Sequence, residues 1–121
     1  MIIGSVLENQ NFEKRIAVTP EIAKKYISLG FEVLLIENYG SHLGIKDDEY
    51  KNLGVKISKD EKKIINDANI IVQLGLLSDE NCSLLKKDQN FIGVLNPYDN
   101  KEKLESLAQK KINIFSLELL P

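Results

Sequence analysis

Arg15 is the only arginine in a chain that carries fifteen lysines. It follows Glu13-Lys14 on a polar stretch that ends at Thr19-Pro20. A guanidinium on such a loop can grip a carboxylate or phosphate through two parallel hydrogen bonds, a geometry an ammonium group lacks. The plainer reading is an ordinary solvated arginine. Two more polar residues lie at the ends of apolar runs. Gln73 ends Ile70-Ile71-Val72, and Asn96 begins the turn Asn96-Pro97 after Phe91 to Leu95. Both positions could line a pocket, and both also suit simple backbone hydrogen bonding. His42 is the only histidine. A general base needs an orienting partner, and none can be located for it in the sequence.

The glycines do not make a nucleotide site. No G-x-G-x-x-G follows a strand, and no G-x-x-x-x-G-K is present, so a standard glycine-rich phosphate loop is absent. The single cysteine, Cys82, excludes an internal disulfide and offers no metal spacing. On a helix it reads as packing. Asp47-Asp48-Glu49 reads as the acidic first turn of a helix rather than as a metal site.

These residues need a scaffold, and its pattern is apolar runs alternating with amphipathic ones. Ile2–Leu7 predicts a first strand. Glu8–Val18 is a long polar loop. Thr19 is a good N-cap, Pro20 suits the first helical position, Glu21 suits the dipole, and Gly30 ends a helix over 20–29. Its apolar face is Ile22, Ala23, Tyr26 and Ile27. A strand over 31–36 follows. A short helix over 47–54 precedes an edge strand at Val55-Lys56-Ile57. Ser58 and Glu61 fit a capping box for a helix burying Ile64 and Ile65. Strands over 69–74, 91–95 and 112–117 alternate with a helix capped by Ser78, carrying Leu84 and Leu85, and a helix over 100–110 with Leu104, Leu107 and Ala108 inward. Several strands are apolar throughout rather than alternating, which predicts a parallel sheet with helices on both faces.

The chain has 121 residues, 43% hydrophobic and 28% charged, enough for one domain with a core. A net charge of −2 with interspersed lysines gives no electrostatic case for nucleic acid. No apolar run approaches the roughly 20 residues of a membrane helix. The N-terminus lacks the features of a signal peptide, which predicts a cytoplasmic location. The sequence stops at Leu119-Leu120-Pro121, just after a strand. Because sites are built at the C-terminal ends of strands, this predicts a fragment of something longer.

Glu13-Lys14-Arg15-Ile16-Ala17-Val18-Thr19-Pro20 with Leu29-Gly30-Phe31-Glu32-Val33 resembles the opening of the alanine dehydrogenase and nicotinamide nucleotide transhydrogenase N-terminal domain. Asp47-Asp48-Glu49-Tyr50 followed by Gly54 fits the same family. The ending from Lys110 to Pro121 looks more like the transhydrogenase alpha subunit. The resemblance implies a three-layer, flavodoxin-like α/β sandwich over residues 1–121, incomplete at its C-terminus. It implies a dinucleotide-binding domain that follows in the same polypeptide and lies outside this chain. NAD(H) would bind in the cleft between the two, and no cofactor is expected on this segment alone. The implied partners are membrane and NADP(H)-binding transhydrogenase components and a second copy in a homodimer. The implied location is cytoplasmic, peripheral to the inner membrane through those partners.

In alanine dehydrogenases the arginine matching Arg15 binds the substrate carboxylate, beside a lysine and a histidine. The lysine position falls on Gln73 and the histidine position at or near Asn96. Neither replacement brings a charge or a titrating group. Hydride transfer between two nicotinamides needs neither, so the resemblance favours transhydrogenase, with alanine dehydrogenase as the second enzyme reading. The cofactor-reaching segment of transhydrogenases, with its arginine, glutamine and aspartate, would begin after Pro121. A flavodoxin-like or receiver-like regulatory module is the non-enzymatic alternative, resting on fold analogy alone.

Overall fold

Six parallel strands form one sheet in the order β3-β2-β1-β4-β5-β6 in the computed structural model, which describes residues 1–95 and 97–117. The strands are β1 (Ile2–Ser5), β2 (Glu32–Ile36), β3 (Lys56–Ser58), β4 (Ile70–Val72), β5 (Asn90–Gly93) and β6 (Asn113–Ser116). The helices are α1 (Pro20–Ser28), α2 (Asp47–Asn52), α3 (Glu61–Asp67), α4 (Asp79–Ser83) and α5 (Lys101–Gln109). Every predicted strand and helix is present, most of them shorter at their ends or shifted by a residue. Without edge strand β3 the order is that of flavodoxin-like sheets. With it, the order is that of dinucleotide-binding doubly wound sheets. The chain reverses direction across the sheet between β1 and β4, the place where such folds leave a crevice.

The helix starts follow local chemistry. The Thr19 side chain accepts from the Ile22 N–H at 3.3 Å, with Pro20 as the first helical residue. Gly30 takes a φ of +97° to leave α1, a conformation that costs glycine little. Ser78 caps α4 by accepting from the Asn81 N–H. At α3 the expected capping box does not form. Asp60 is the cap, accepting from the Lys63 N–H at 3.2 Å. Ser58 instead accepts from the Asp60 N–H at 3.1 Å. The last residue of β3 is Ser58 itself, so the helix can begin only after a two-residue turn. Two packing expectations also change. Leu84 and Leu85 follow α4 rather than lie on it. On α5 Leu107 is buried and Leu104 half-buried, but Ala108 is exposed, one step past the inward face.

Side-chain contacts sort the helices between the two faces. The Gly4 Cα faces α3: a Cβ there would lie 2.8 Å from the Ala68 Cβ and 3.1 Å from the Ile64 Cγ2. Asn81 of α4 bonds Glu61 of α3, and Lys103 of α5 pairs with Asp79 of α4, so α3, α4 and α5 share that face. Ser5, one residue on, points to the opposite face, where its hydroxyl meets Tyr39 and Tyr39 packs edge-on against Tyr50 of α2. Helices α1 and α2 cover this face over β1, β2 and β3.

Over β4, β5 and β6 the same face carries no helix among the described residues. Register places Ile70, Val72, Ile92 and Phe115 on it. Ile70, Val72 and Ile92 are half-buried and Phe115 is 51% exposed. None of the described helices is long and apolar enough to cross a membrane.

Candidate functional site

One amide bridges the C-terminal ends of β1 and β4. Gln73, just past β4, is buried, and both its amide oxygen and its amide nitrogen are bonded within the fold. Its Oε1 accepts from the Val6 N–H at 2.7 Å and lies 3.0 Å from the Ser5 Oγ. Its Nε2 donates to the Val6 carbonyl at 3.0 Å and to the Glu8 carboxylate at 2.7 Å. An amide offers two donors and one oxygen with two lone pairs. Gln73 therefore acts as a side-chain rung joining the ends of two strands, and it also borders a cleft of about 250 Å³ beside Glu8.

A second set of bonds runs sideways from Ser5. Its hydroxyl lies 2.6 Å from the Val72 carbonyl and 2.9 Å from the Tyr39 hydroxyl. The Tyr39 hydroxyl accepts from the Val18 N–H at 3.1 Å, and the Tyr50 hydroxyl donates to the Val18 carbonyl at 2.7 Å. Both polar groups of one buried residue are thus held by phenols from two separate elements. Burial raises the pKa of both phenols, so both stay neutral donors. The Tyr39 and Tyr50 rings meet at a centroid distance of 6.1 Å and an angle of 79°, an edge-to-face geometry favoured by ring quadrupoles. Val18 closes the long loop, three residues after Arg15.

Arg15 lies on the outside of that loop. Its side chain is 80% exposed and folds back on Glu13, with contacts of 3.0 Å from Nε and 2.8 Å from Nη2. These bonds hold the Glu13 carboxyl down at about 2. The fork that could grip a ligand anion is occupied by its neighbour two residues back. His42 has partners that the sequence did not disclose. Its Nε2 donates to the Lys14 carbonyl at 2.7 Å, and its Nδ1 accepts from the Gln10 amide at 3.1 Å. It pins the loop from outside. Asn96 lies outside the described residues.

Glu8 was the least conspicuous of these residues in sequence. Its carboxylate takes three N–H donors: Gln73 Nε2 at 2.7 Å, Leu74 N at 2.8 Å and Gly75 N at 2.9 Å. Burial raises its pKa, and these bonds oppose the shift without cancelling it. Beside it is a cleft of about 250 Å³ lined by Val6, Leu7, Leu76, Leu77, Glu61 and Asn81, among others. A larger hollow of about 410 Å³ lies between α4 and α5, away from the strand ends. The described residues contain no cluster of three or more His, Cys, Asp or Glu suited to a metal. Ser5, Tyr39 and Tyr50 were missed in sequence because each reads as ordinary core or turn until its partner is known.

Residues 4–121 match the family described as "Alanine dehydrogenase/PNT, N-terminal domain". The first of the alpha-subunit polypeptides of the NAD(P) transhydrogenase of Rickettsia prowazekii (strain Madrid E) is 35% identical over 125 residues, which take in 100% of this chain and 33% of that protein. Alanine dehydrogenase 1 of Staphylococcus aureus (strain Mu50) is 27% identical over 99% of this chain and 32% of its own length. The crystal structure of transhydrogenase from Sinorhizobium meliloti superposes with a TM-score of 0.91 at 27% identity, over 100% of this chain and 36% of that one. The chain spans about a third of the length of the curated relatives it matches.

Proposed function

From the premise that this chain belongs to the alanine dehydrogenase/PNT N-terminal domain family, we propose that it is the N-terminal, substrate-side domain of a proton-translocating NAD(P) transhydrogenase alpha subunit. The observation that carries this is the set of bonds that Gln73 makes. The resemblance sets this residue where alanine dehydrogenases keep a lysine, and here it is uncharged and fully engaged within the fold. An amino-acid dehydrogenase needs a cation and a proton carrier beside its substrate. A domain that helps to enclose a nicotinamide needs a rigid wall. The higher identity to the transhydrogenase relative, 35% against 27%, supports the same choice.

In this reading the chemistry belongs to the complete protein. NAD(H) binds between this domain and a dinucleotide-binding domain of the same polypeptide. Hydride passes to or from NADP(H) on a partner component, and membrane components place the assembly at the inner membrane from the cytoplasmic side. The protein works as a homodimer. The open half of the sheet face over β4 to β6 supports further polypeptide packing there, since parallel strands are ordinarily covered on both sides. Arg15, Gln73 and Asn96 would be the vestige of a substrate pocket, with Arg15 free to leave Glu13 for a ligand anion.

The second reading, alanine dehydrogenase, rests on the shared family and on the presence of Arg15. Two assays on the full-length protein with its partners separate them: reduction of an NAD analogue by NADPH, and reduction of NAD by alanine. The first is expected and the second is not; alanine-dependent reduction alone would overturn the proposal. The isolated chain is expected to show no tight binding of NADH, because it carries no glycine-rich phosphate loop.

A further inference from the structure

We propose that the loop after β1 is a preformed docking knob, and that its tip, Phe12, seats in an apolar pocket of the NADP(H)-binding partner component. The inference rests on the transhydrogenase reading above and names the contact through which the two components meet. Phe12 is 88% exposed on a turn that is held in shape from within. The Asn9 carbonyl accepts from the Phe12 N–H at 3.0 Å and from the Glu13 N–H at 2.9 Å, and the Asn9 Oδ1 accepts from the Asn11 N–H at 3.1 Å. The turn is also tied to the fold on both sides. Glu8 is bonded to Gln73, Leu74 and Gly75 before it, His42 holds Gln10 and the Lys14 carbonyl across it, and Tyr39 and Tyr50 hold Val18 after it. A mobile loop could fold a phenylalanine ring back onto the protein. This one presents it to water. An aromatic side chain fixed in advance loses little conformational freedom on binding, which is how preorganisation raises affinity, and such anchors carry a large share of interface energy.

The rest of that end of the molecule agrees. Leu7, Leu43 and Tyr98, the last 92% exposed, lie open to water on the loops that follow β1, β2 and β5. Exposed apolar side chains gathered at one end mark a contact surface, and these stand at the C-terminal ends of the strands, where such folds leave their crevice. A hydride donor and acceptor must meet there, so the component that brings NADP(H) approaches this end. The surroundings of Phe12 decide between a separable partner and the dinucleotide-binding domain of the same polypeptide. Asn9, Gln10, Asn11, Lys14 and Arg15 are exposed around it. A single aromatic anchor inside a polar rim is the make-up of an interface that forms and separates, whereas permanently joined surfaces are more apolar throughout. The acids and bases of residues 8–15 balance, so fit rather than charge selects the partner.

The test uses the full-length protein and its NADP(H)-binding component, with Phe12→Ala and Phe12→Trp beside the wild type. Reduction of an NAD analogue by NADPH is followed while the component is titrated. Phe12→Ala should raise the component concentration that gives half the maximal rate by about tenfold or more. The rate at saturation, the NADH dissociation constant and the melting temperature should stay as in the wild type. Phe12→Trp should restore most of the lost affinity. The chain has no tryptophan of its own, and the fluorescence that this variant adds to the wild-type signal should shift to the blue with the component and not with NADH alone. An unchanged midpoint for Phe12→Ala would overturn the proposal. So would weaker NADH binding or a lower melting temperature, which would seat Phe12 against the dinucleotide-binding domain instead. A wild type that transfers no hydride refutes the transhydrogenase reading itself, and this contact with it.

Discussion

Replacing Tyr39 by phenylalanine removes one oxygen and leaves the ring volume unchanged, so the cost comes from hydrogen bonding alone. The Tyr39 hydroxyl is the acceptor for the Val18 N–H at 3.1 Å, and Val18 is fully buried, so water cannot replace it. A buried donor left unpaired costs about 1–3 kcal/mol. Tyr50→Phe removes the donor to the Val18 carbonyl. Buried carbonyls tolerate lost partners better than N–H groups do, which puts this change at about 0.5–1.5 kcal/mol. With a urea slope of about 1–3 kcal/mol per molar, a loss of about 2 kcal/mol moves the midpoint down by about 1 M. Because both phenols hold the same residue, the double variant should cost less than the sum, by about 0.5 kcal/mol or more. Urea denaturation followed by circular dichroism reads all three. A Tyr39→Phe loss below about 0.5 kcal/mol, or one smaller than that of Tyr50→Phe, would refute the reasoning.

Two other predictions concern the strand ends. A Cβ on Gly93 would lie 2.5 Å from the Gln73 carbonyl oxygen and 3.0 Å from the Leu95 Cδ2; Gly93→Ala should therefore cost about 1–3 kcal/mol or more, and a melting temperature equal to wild type would contradict that contact. Glu8 titrates above its ordinary value because of burial, so the folded state binds its proton more tightly than the unfolded chain does, and stability should fall as pH rises between those two values. Glu8→Gln removes this slope but leaves the opposite one due to Glu13, whose contribution is lost as pH falls towards about 2. Denaturation curves for the two proteins that run parallel from about pH 4 to pH 8 would refute the assignment.

The scaffold was legible because its signals are local. Thr19-Pro20, Gly30 and the apolar runs at 31–36 and 69–74 each depend on neighbours a few residues away, and each stands where the pattern put it. Asp60 replaced Ser58 as a cap because the end of β3 is set by pairing with β2, which no local pattern records. The site was less legible for the same reason. Ser5 and Gln73 are 68 residues apart, and Tyr39 and Ser5 are 34 apart, so their chemistry exists only once the sheet is assembled. Gln73 bonds the Val6 backbone and the Glu8 side chain, both more than sixty residues away in sequence. Arg15 was visible as chemistry, but its pairing with Glu13 came from the fold of the loop.

The open apolar half-face over β4, β5 and β6 makes this domain's stability a property of the mixture as well as of the chain. Whatever settles on Ile70, Val72, Ile92 and Phe115 binds the folded form and not the unfolded one, and so shifts the equilibrium by mass action. The unfolding midpoint of the isolated chain should then rise with its own concentration if copies of it pair through that face. In the proposed alpha subunit, polypeptide packed on that surface would tie the folding of this domain to its own by the same mass action.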